Sequence, residues 1–312
     1  MLFSVVIPLY NKADTIERTI RSVWAQSFKD YELIVVNDGS IDASLNAVKR
    51  LSQETDFVII DKKNGGVSSA RNAGAGAASG QYIALLDGDD IWYPNHLELL
   101  ANAIAKHPDV KFFGTGYERY SGTHVYYTIP WGGCRVKDVY SAFCFCQPIN
   151  TSTVAIERDL WERIGGFDER YSFYEDYEFF FRLGLYTKCC IVRKISVAYR
   201  DDAAESITKK KRVIVKDTRP HLMFIENMVA NRKITYEMLR YALTYIKMAW
   251  AFKVLLGSNV EYDALPNICP KLIKKSGNRG VSASIVNRVC ATLMYYYYRI
   301  RNHLVIWRKF VG

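Results

Sequence analysis

The first hundred residues alternate between two hydrophobic patterns. "FSVVIPL" (3–9) and "YELIVVND" (31–38) are nearly continuous apolar runs, as strands covered on both faces require. Between them, "DTIERTIRSVWAQ" (14–26) spaces Ile16, Ile20, Val23 and Trp24 along one helical face. "GSIDASLNAVKRLSQ" predicts a turn and a second helix, and "DFVIIDK" a third strand. "GGVSSARNAGAGAASG" predicts a small-residue helix between glycine breaks, and "YIALLD" a fourth strand. Strand–helix alternation at this spacing predicts a doubly wound α/β domain with a mostly parallel central sheet.

Beyond residue 110 the rhythm loosens. "KFFGTGYERY" and "THVYYTIP" suggest strands or a hairpin, and "GGCRVKDVYSAFCFCQP" reads as irregular. The stretch from Thr151 to Thr187 predicts a strand, a short helix, a turn and a longer helix, and "CCIVRKISVAYR" a closing strand. From 209 the chain changes character: "KKKR" opens a run of amphipathic segments rich in aromatics and cations. The expected division is an α/β domain over 1–208 and a basic, mostly helical C-terminal region over 209–312.

Charge sharpens that boundary. The net +10 averages two unlike halves: residues 209–312 carry 20 Lys or Arg against 5 Asp or Glu, and residues 1–208 carry 22 against 27. A basic, aromatic helical tail suits an anionic membrane surface; a helical bundle with solvated lysines accounts for the same residues, and nucleic acid is the poorest fit. Tyr295 to Tyr298 suit an interfacial belt or a packed or oligomeric surface. No run reaches the ~18–20 apolar residues of a membrane span, and "MLFSVVIPLYNK" reads as a strand, not a signal peptide. The expectation is a cytoplasmic protein, associated peripherally with the inner face of the membrane. Seven cysteines (134, 144, 146, 189, 190, 269 and 290) show no CxxC spacing and are read as mostly buried free thiols.

Three polar clusters fall at the carboxyl ends of expected strands: "NDGS" (37–40), "NGG" (64–66) and "DGDD" (87–90). Ligands of open α/β sheets bind at that edge. No GxGxxG follows the first strand and no Walker motif is present, which counts against a dinucleotide fold or a P-loop ATPase. Asp87 and Asp89 flank a glycine and suit a hard cation, Mn2+ or Mg2+, that bridges phosphates. Asp90 is read as the cap of a helix starting in "DIWYPNHLELL". A second acidic cluster, Glu175, Asp176 and Glu178 in "YEDYEFFFRLG", sits at a helix start. Mutual repulsion there favours a proton-accepting carboxylate, while the helix dipole opposes it. Read singly, each feature has a bland alternative: Asp38 as a turn former, Arg71 as a surface residue, the acids as first-turn decoration.

Together, "SVVIPLYNKADTIERTIRSVWAQSFKDYELIVVNDGSIDAS", "GGVSSARNAGAGAASGQYIALLDGDDIWYP" and "GGFDERYSFYEDYEFFFRLG" resemble the family 2 glycosyltransferases over residues 2 to about 200. The resemblance implies a GT-A (Rossmann-like nucleotide-sugar-binding) fold and a nucleotide-diphosphate sugar as co-substrate. It assigns Pro8 and Tyr10 to the loop lining the base, Asp38 to a hydrogen bond with the base (usually uracil), and Asn64 and Arg71 to the base or diphosphate. Asp87 is assigned to the ribose or metal shell, Asp89 to the metal, and Asp176, with Glu175 beside it, to the catalytic base. Gly165, Gly166 and the rest of "GGFDE" correspond to an acceptor-side turn. Trp161 and Phe167 suit either stacking on a sugar ring or core packing.

The implied reaction is a single inverting displacement that moves one sugar from a donor, expected to be UDP-linked, to a glycan or lipid-linked glycan. Bacterial surface polysaccharide synthesis is the expected setting. No Q-x-x-R-W signature of processive synthases is present. A nucleotidyltransferase and a non-catalytic sugar- or membrane-binding protein are the competing classes. The first lacks its glycine- and lysine-rich loop here, and intact Asp38, Asp89 and Asp176 speak against the second.

Overall fold

Parallel strands of Val, Ile and Leu need cover on both faces, and the chain supplies it. The computed structural model describes residues 1–121, 124–128, 134–143, 149–171 and 175–200. The chain divides into two units, Met1–Pro220 and His221–Gly312, and the described residues lie in the first. The basic region 209–312 and its membrane and oligomer readings therefore fall outside the described residues.

The strands are β1 (Phe3–Leu9), β2 (Tyr31–Asp38), β3 (Val58–Lys62), β4 (Tyr82–Leu85), β5 (Ile91–Trp92), β6 (Phe112–Ser121), β7 (His124–Thr128), β8 (Arg135–Lys137), β9 (Val154–Glu157) and β10 (Cys189–Arg200). The helices are α1 (Ile16–Trp24), α2 (Ser44–Leu51), α3 (Val67–Gly76), α4 (His96–Lys106), α5 (Val139–Phe143), α6 (Arg158–Ile164) and α7 (Glu175–Leu183). The sheet runs β3-β2-β1-β4-β9-β6-β10-β5, with β7 on β6 and β8 on β10. Its first four strands are parallel. Antiparallel β9 then joins β4 to β6, and β6 pairs parallel with β10. The sheet is thus parallel through the half built by strand–helix alternation and mixed beyond it.

All seven residues of β1 and all four of β4 are buried. Each fully buried Val, Ile or Leu contributes about 1.5–3 kcal/mol, so this centre holds the sheet. Ile16, Ile20 and Val23 of α1 face it, as their spacing predicts. The small residues of α3 serve close approach: a Cβ on Gly74 would stand 2.3 Å from Val6 Cγ1. The segment read as irregular holds β8 and α5, whose short patterns carry little periodic signal.

Two expectations are corrected here. No helix starts at Asp90. Ile91–Trp92 is a strand paired antiparallel with Val197 and Ala198 of β10, and α4 begins only at His96, after Asn95. Asp90 is fully buried, accepting from Ser152 Oγ at 2.5 Å and from the Arg200 N–H at 3.1 Å. Burial first, then the Asp89 and Asp87 charges, push its pKa well up. The cysteines are not all free either: Cys134 and Cys190 form a disulfide, whereas Cys189 is a buried free thiol. Cys144, Cys146, Cys269 and Cys290 lie outside the described residues.

Candidate active site

The carboxyl ends of β1, β2 and β4 deliver their loops to one edge of the sheet, as the parallel topology demands. The loop after β1 grips the loop after β4. Lys12 Nζ donates to Asp89 Oδ2 at 2.5 Å, and Thr15 Oγ1 donates to the Gly88 carbonyl at 2.8 Å. Thr19 Oγ1 reaches the Asp90 carbonyl at 2.9 Å. From the other side, Ser152 Oγ accepts the Asp87 N–H at 3.0 Å while donating to Asp90. The buried Asp90 thus anchors the turn that presents Asp87 and Asp89, the two acids left partly open.

Asp38 ends β2 and is 2% exposed. Its carboxylate accepts Lys62 Nζ at 2.6 Å, Gly65 N–H at 2.9 Å and Gly66 N–H at 2.8 Å. A carboxylate offers about four lone-pair sites, so three protein donors leave one for a ligand. Asn64 Nδ2 donates to the Asp38 carbonyl at 2.9 Å, tying the third polar cluster to the first. Pro8 is buried in β1, and Tyr10, 46% exposed, stands at its end beside these loops.

Arg71 joins the two halves of the site. It lies on α3 and is 3% exposed; Nη2 donates to Asp87 Oδ1 at 2.7 Å and Nη1 to Glu175 Oε1 at 3.1 Å. Its guanidinium also sits 5.0 Å from the Phe167 ring centroid. Burial alone would lower its pKa, but Asp87 and Glu175 outweigh burial and raise it, fixing the charge. A planar fork with several donors can bridge two carboxylates at once, which a lysine cannot reproduce.

The neighbouring Asn72 pins the acceptor-side turn. Its Nδ2 donates to the Phe167 carbonyl at 2.8 Å, and its Oδ1 accepts the Phe167 N–H at 2.8 Å. Gly165 closes α6 with φ +80°, and Gly166 follows at φ +64°. A Cβ on Gly166 would meet Asn72 Oδ1 at 2.4 Å, so this turn requires glycine twice over. Trp161 and Phe167 are 4% and 2% exposed. The two rings meet edge to face, and Phe167 stacks on Phe179 of α7 with centroids 4.2 Å apart. They face the core, and sugar stacking is set aside: these rings wedge α6 against α7 and so fix where α7 begins.

That start holds Glu175 and Asp176. Asp176 is partly buried. Desolvation first, then the Glu175 charge, raise its pKa to about 7 against the pull of Arg71 and the Tyr177 N–H. A carboxyl poised near neutrality and still partly exposed suits proton acceptance. The hydrogen-bonded roles of Lys12, Lys62, Asn72 and Ser152 escape sequence reading. Their partners lie between 24 and 95 residues away, and lysine, asparagine and serine are unremarkable residues in loops.

This arrangement defines a class. The fold is that of GT-A nucleotide-sugar enzymes: the chain superimposes on the 1–349 portion of S. aureus TarS in complex with UDP-GlcNAc with a TM-score of 0.67 at 17% identity, covering 88% of this chain and 81% of that one. The UDP complex of the same protein gives 0.68 at 16% identity, covering 95% and 86%. The sequence matches the model for Glycosyl transferase family 2 over residues 4–153 and that for Glycosyltransferase like family 2 over residues 134–228. An uncharacterized glycosyltransferase of Rickettsia prowazekii is 31% identical over 211 residues, spanning 66% of this chain and 65% of its own. One of Nostoc is 41% identical over 106 residues, a third of each chain (33%). The chain belongs to the family 2 glycosyltransferases. It spans less than two thirds of the length of the curated relatives it matches.

Proposed function

We propose that this chain transfers a single sugar, with inversion, from a UDP-linked donor to a hydroxyl of a glycan or lipid-linked glycan, as in bacterial surface polysaccharide synthesis. The observation that carries the reading is the Arg71 bridge, which holds Asp87 of the strand-end turn and Glu175 of the base helix on one guanidinium. Donor and acceptor sides of a displacement must meet within a few ångströms, and this bridge couples them. TarS holds UDP and UDP-GlcNAc in a fold of the same class, which favours a uridine donor here.

In this reading the base lies near Tyr10 and Pro8 and takes the remaining lone-pair site of Asp38. Asn64 braces that loop. Asp176 removes the proton of the attacking hydroxyl, and Glu175, held by Arg71, keeps a negative charge beside it that sustains its basicity. Asp89 and Asp87 are the residues that would hold Mn2+ or Mg2+. Among the described residues Asp89 Oδ1 and Asp87 Oδ2 accept no hydrogen bond, and carboxylate oxygens are the donors such cations select. A cation bound there would offset charge on the departing diphosphate. Lys12 already neutralises Asp89, so it must yield or share that oxygen.

The C-terminal region 209–312 supplies contact with an anionic membrane surface on the cytoplasmic side; among the described residues no helix is long and apolar enough to cross a membrane. The test is release of UDP from a panel of UDP-sugars with Mn2+ and candidate acceptors, comparing wild type with Asp176→Asn and Asp89→Asn. Turnover by wild type alone is expected. Equal turnover by Asp176→Asn would remove the base assignment, and binding of every donor without turnover would favour a non-catalytic sugar-binding protein.

A further inference from the structure

A second chemically distinct cluster lies outside the candidate active site. His107 follows α4, Cys134 precedes β8, and Cys190 is buried near the start of β10. A ring nitrogen of His107 and the two Sγ atoms all lie within 4.8 Å of one another. Among the described residues this is the one group of three or more His, Cys, Asp or Glu ligand atoms gathered so closely. Three chain segments, separated by 27 and 56 residues, converge on it.

The polar bookkeeping points to a ligand. His107 Nε2 is buried without a hydrogen-bond partner, an arrangement that costs stability when nothing satisfies the nitrogen. Cys190 is fully buried, whereas His107 and Cys134 keep some exposure, so an ion has a path in. The neighbouring Cys189 points to the opposite face of β10, as strand alternation requires, and its Sγ donates instead to the Lys137 carbonyl at 3.5 Å. The site is therefore specific to one cysteine of the adjacent pair.

We propose that the dithiol form of Cys134 and Cys190, with His107, binds a thiophilic divalent cation such as Zn2+. Two thiolates and an imidazole are three of the four ligands of a tetrahedral zinc centre, and water at the open side completes it. The metal and the disulfide are alternatives at the same two sulfurs. A thiol reductant supplies two electrons and two protons to open the S–S bond and is itself oxidised to its disulfide. Metal binding then displaces one proton from each cysteine thiol. The disulfide ties the segment before β8 to β10, and the metal form would add the end of α4 to that tie, so the compartment's redox poise decides which staple the protein carries. Sulfur and nitrogen ligands separate this site from the carboxylates of the active site, which select hard cations.

The experiment is a Co2+ titration of the full chain, reduced, stripped with chelator and held without oxygen, in excess Mg2+ to occupy oxygen sites. Thiolate-to-cobalt charge-transfer absorption at one equivalent is expected, with Zn2+ displacing it. Cys134→Ser and Cys190→Ser abolish the band, His107→Ala weakens binding by roughly tenfold or more, and Cys189→Ala leaves it unchanged. No charge-transfer band in the wild type overturns the proposal, as does a band that survives Cys134→Ser or is lost in Cys189→Ala. Should a cysteine variant fail to fold, His107→Ala decides alone: unchanged affinity overturns the site.

Discussion

Replacing Asp176 with asparagine is expected to abolish transfer and, at the same time, to stabilise the protein in a pH-dependent way. An unfolded aspartate titrates at about 3.9, whereas burial and the Glu175 charge hold Asp176 at about 7 in the folded chain. The folded state therefore retains a proton that the unfolded state releases. The penalty is absent below pH 4, grows between 4 and 7, and is complete above 7. The full difference corresponds to about 4 kcal/mol, and roughly half that is reasonable for a partly open carboxyl whose neighbours relax. Asparagine keeps the shape and carries no charge, so it escapes the penalty. For a domain of this size, about 2 kcal/mol raises the melting temperature by roughly 4–8 °C. Thermal melts of wild type and Asp176→Asn at pH 5 and pH 8 measure it, with the variant's advantage clearly larger at pH 8. A difference that is the same at both pH values, or a variant less stable at pH 8, would refute the reasoning. The result matters for function because a base held near neutrality is necessarily a destabilising one.

Other expectations follow from the same geometry. Because Asp176 must be ionised to accept a proton, kcat/KM should rise with unit slope up to about pH 7 and then level off; a flat profile from pH 5 to 8 would exclude it as the base. Arg71→Lys keeps the charge but not the fork that spans Asp87 and Glu175, so turnover should fall by roughly 10²-fold with a stability loss of about 1–3 kcal/mol, measured by kinetics and urea unfolding. Gly166→Ala meets both a positive φ and Asn72 Oδ1, which predicts a loss of about 1–3 kcal/mol by the same unfolding measurement. Gly76→Ala, where an added Cβ meets nothing within 4 Å, serves as its control and is expected to lose no stability.

The α/β half of the fold was legible because its signals are local. The short, nearly continuous apolar runs within 3–9 and 31–38, bounded by turn residues, read as strands covered on both faces, and Ile16, Ile20 and Val23 share a face as a helix. The polar clusters at the carboxyl ends of β2, β3 and β4 were equally readable, since parallel topology sends those ends to one edge. Tertiary structure decided what those residues touch. Asp90 reads as a helix cap, yet it is buried because Ser152 and the Arg200 N–H, 62 and 110 positions away, satisfy it. Trp161 and Phe167 suit a sugar platform or a core, and packing on Phe179 chose the core. Arg71 reaches Glu175 across 104 residues, and His107 meets Cys134 and Cys190 from three separate segments. Periodicity and motif spacing report on neighbours along the chain, whereas a salt bridge or ligand cluster depends on which distant segments the sheet brings side by side.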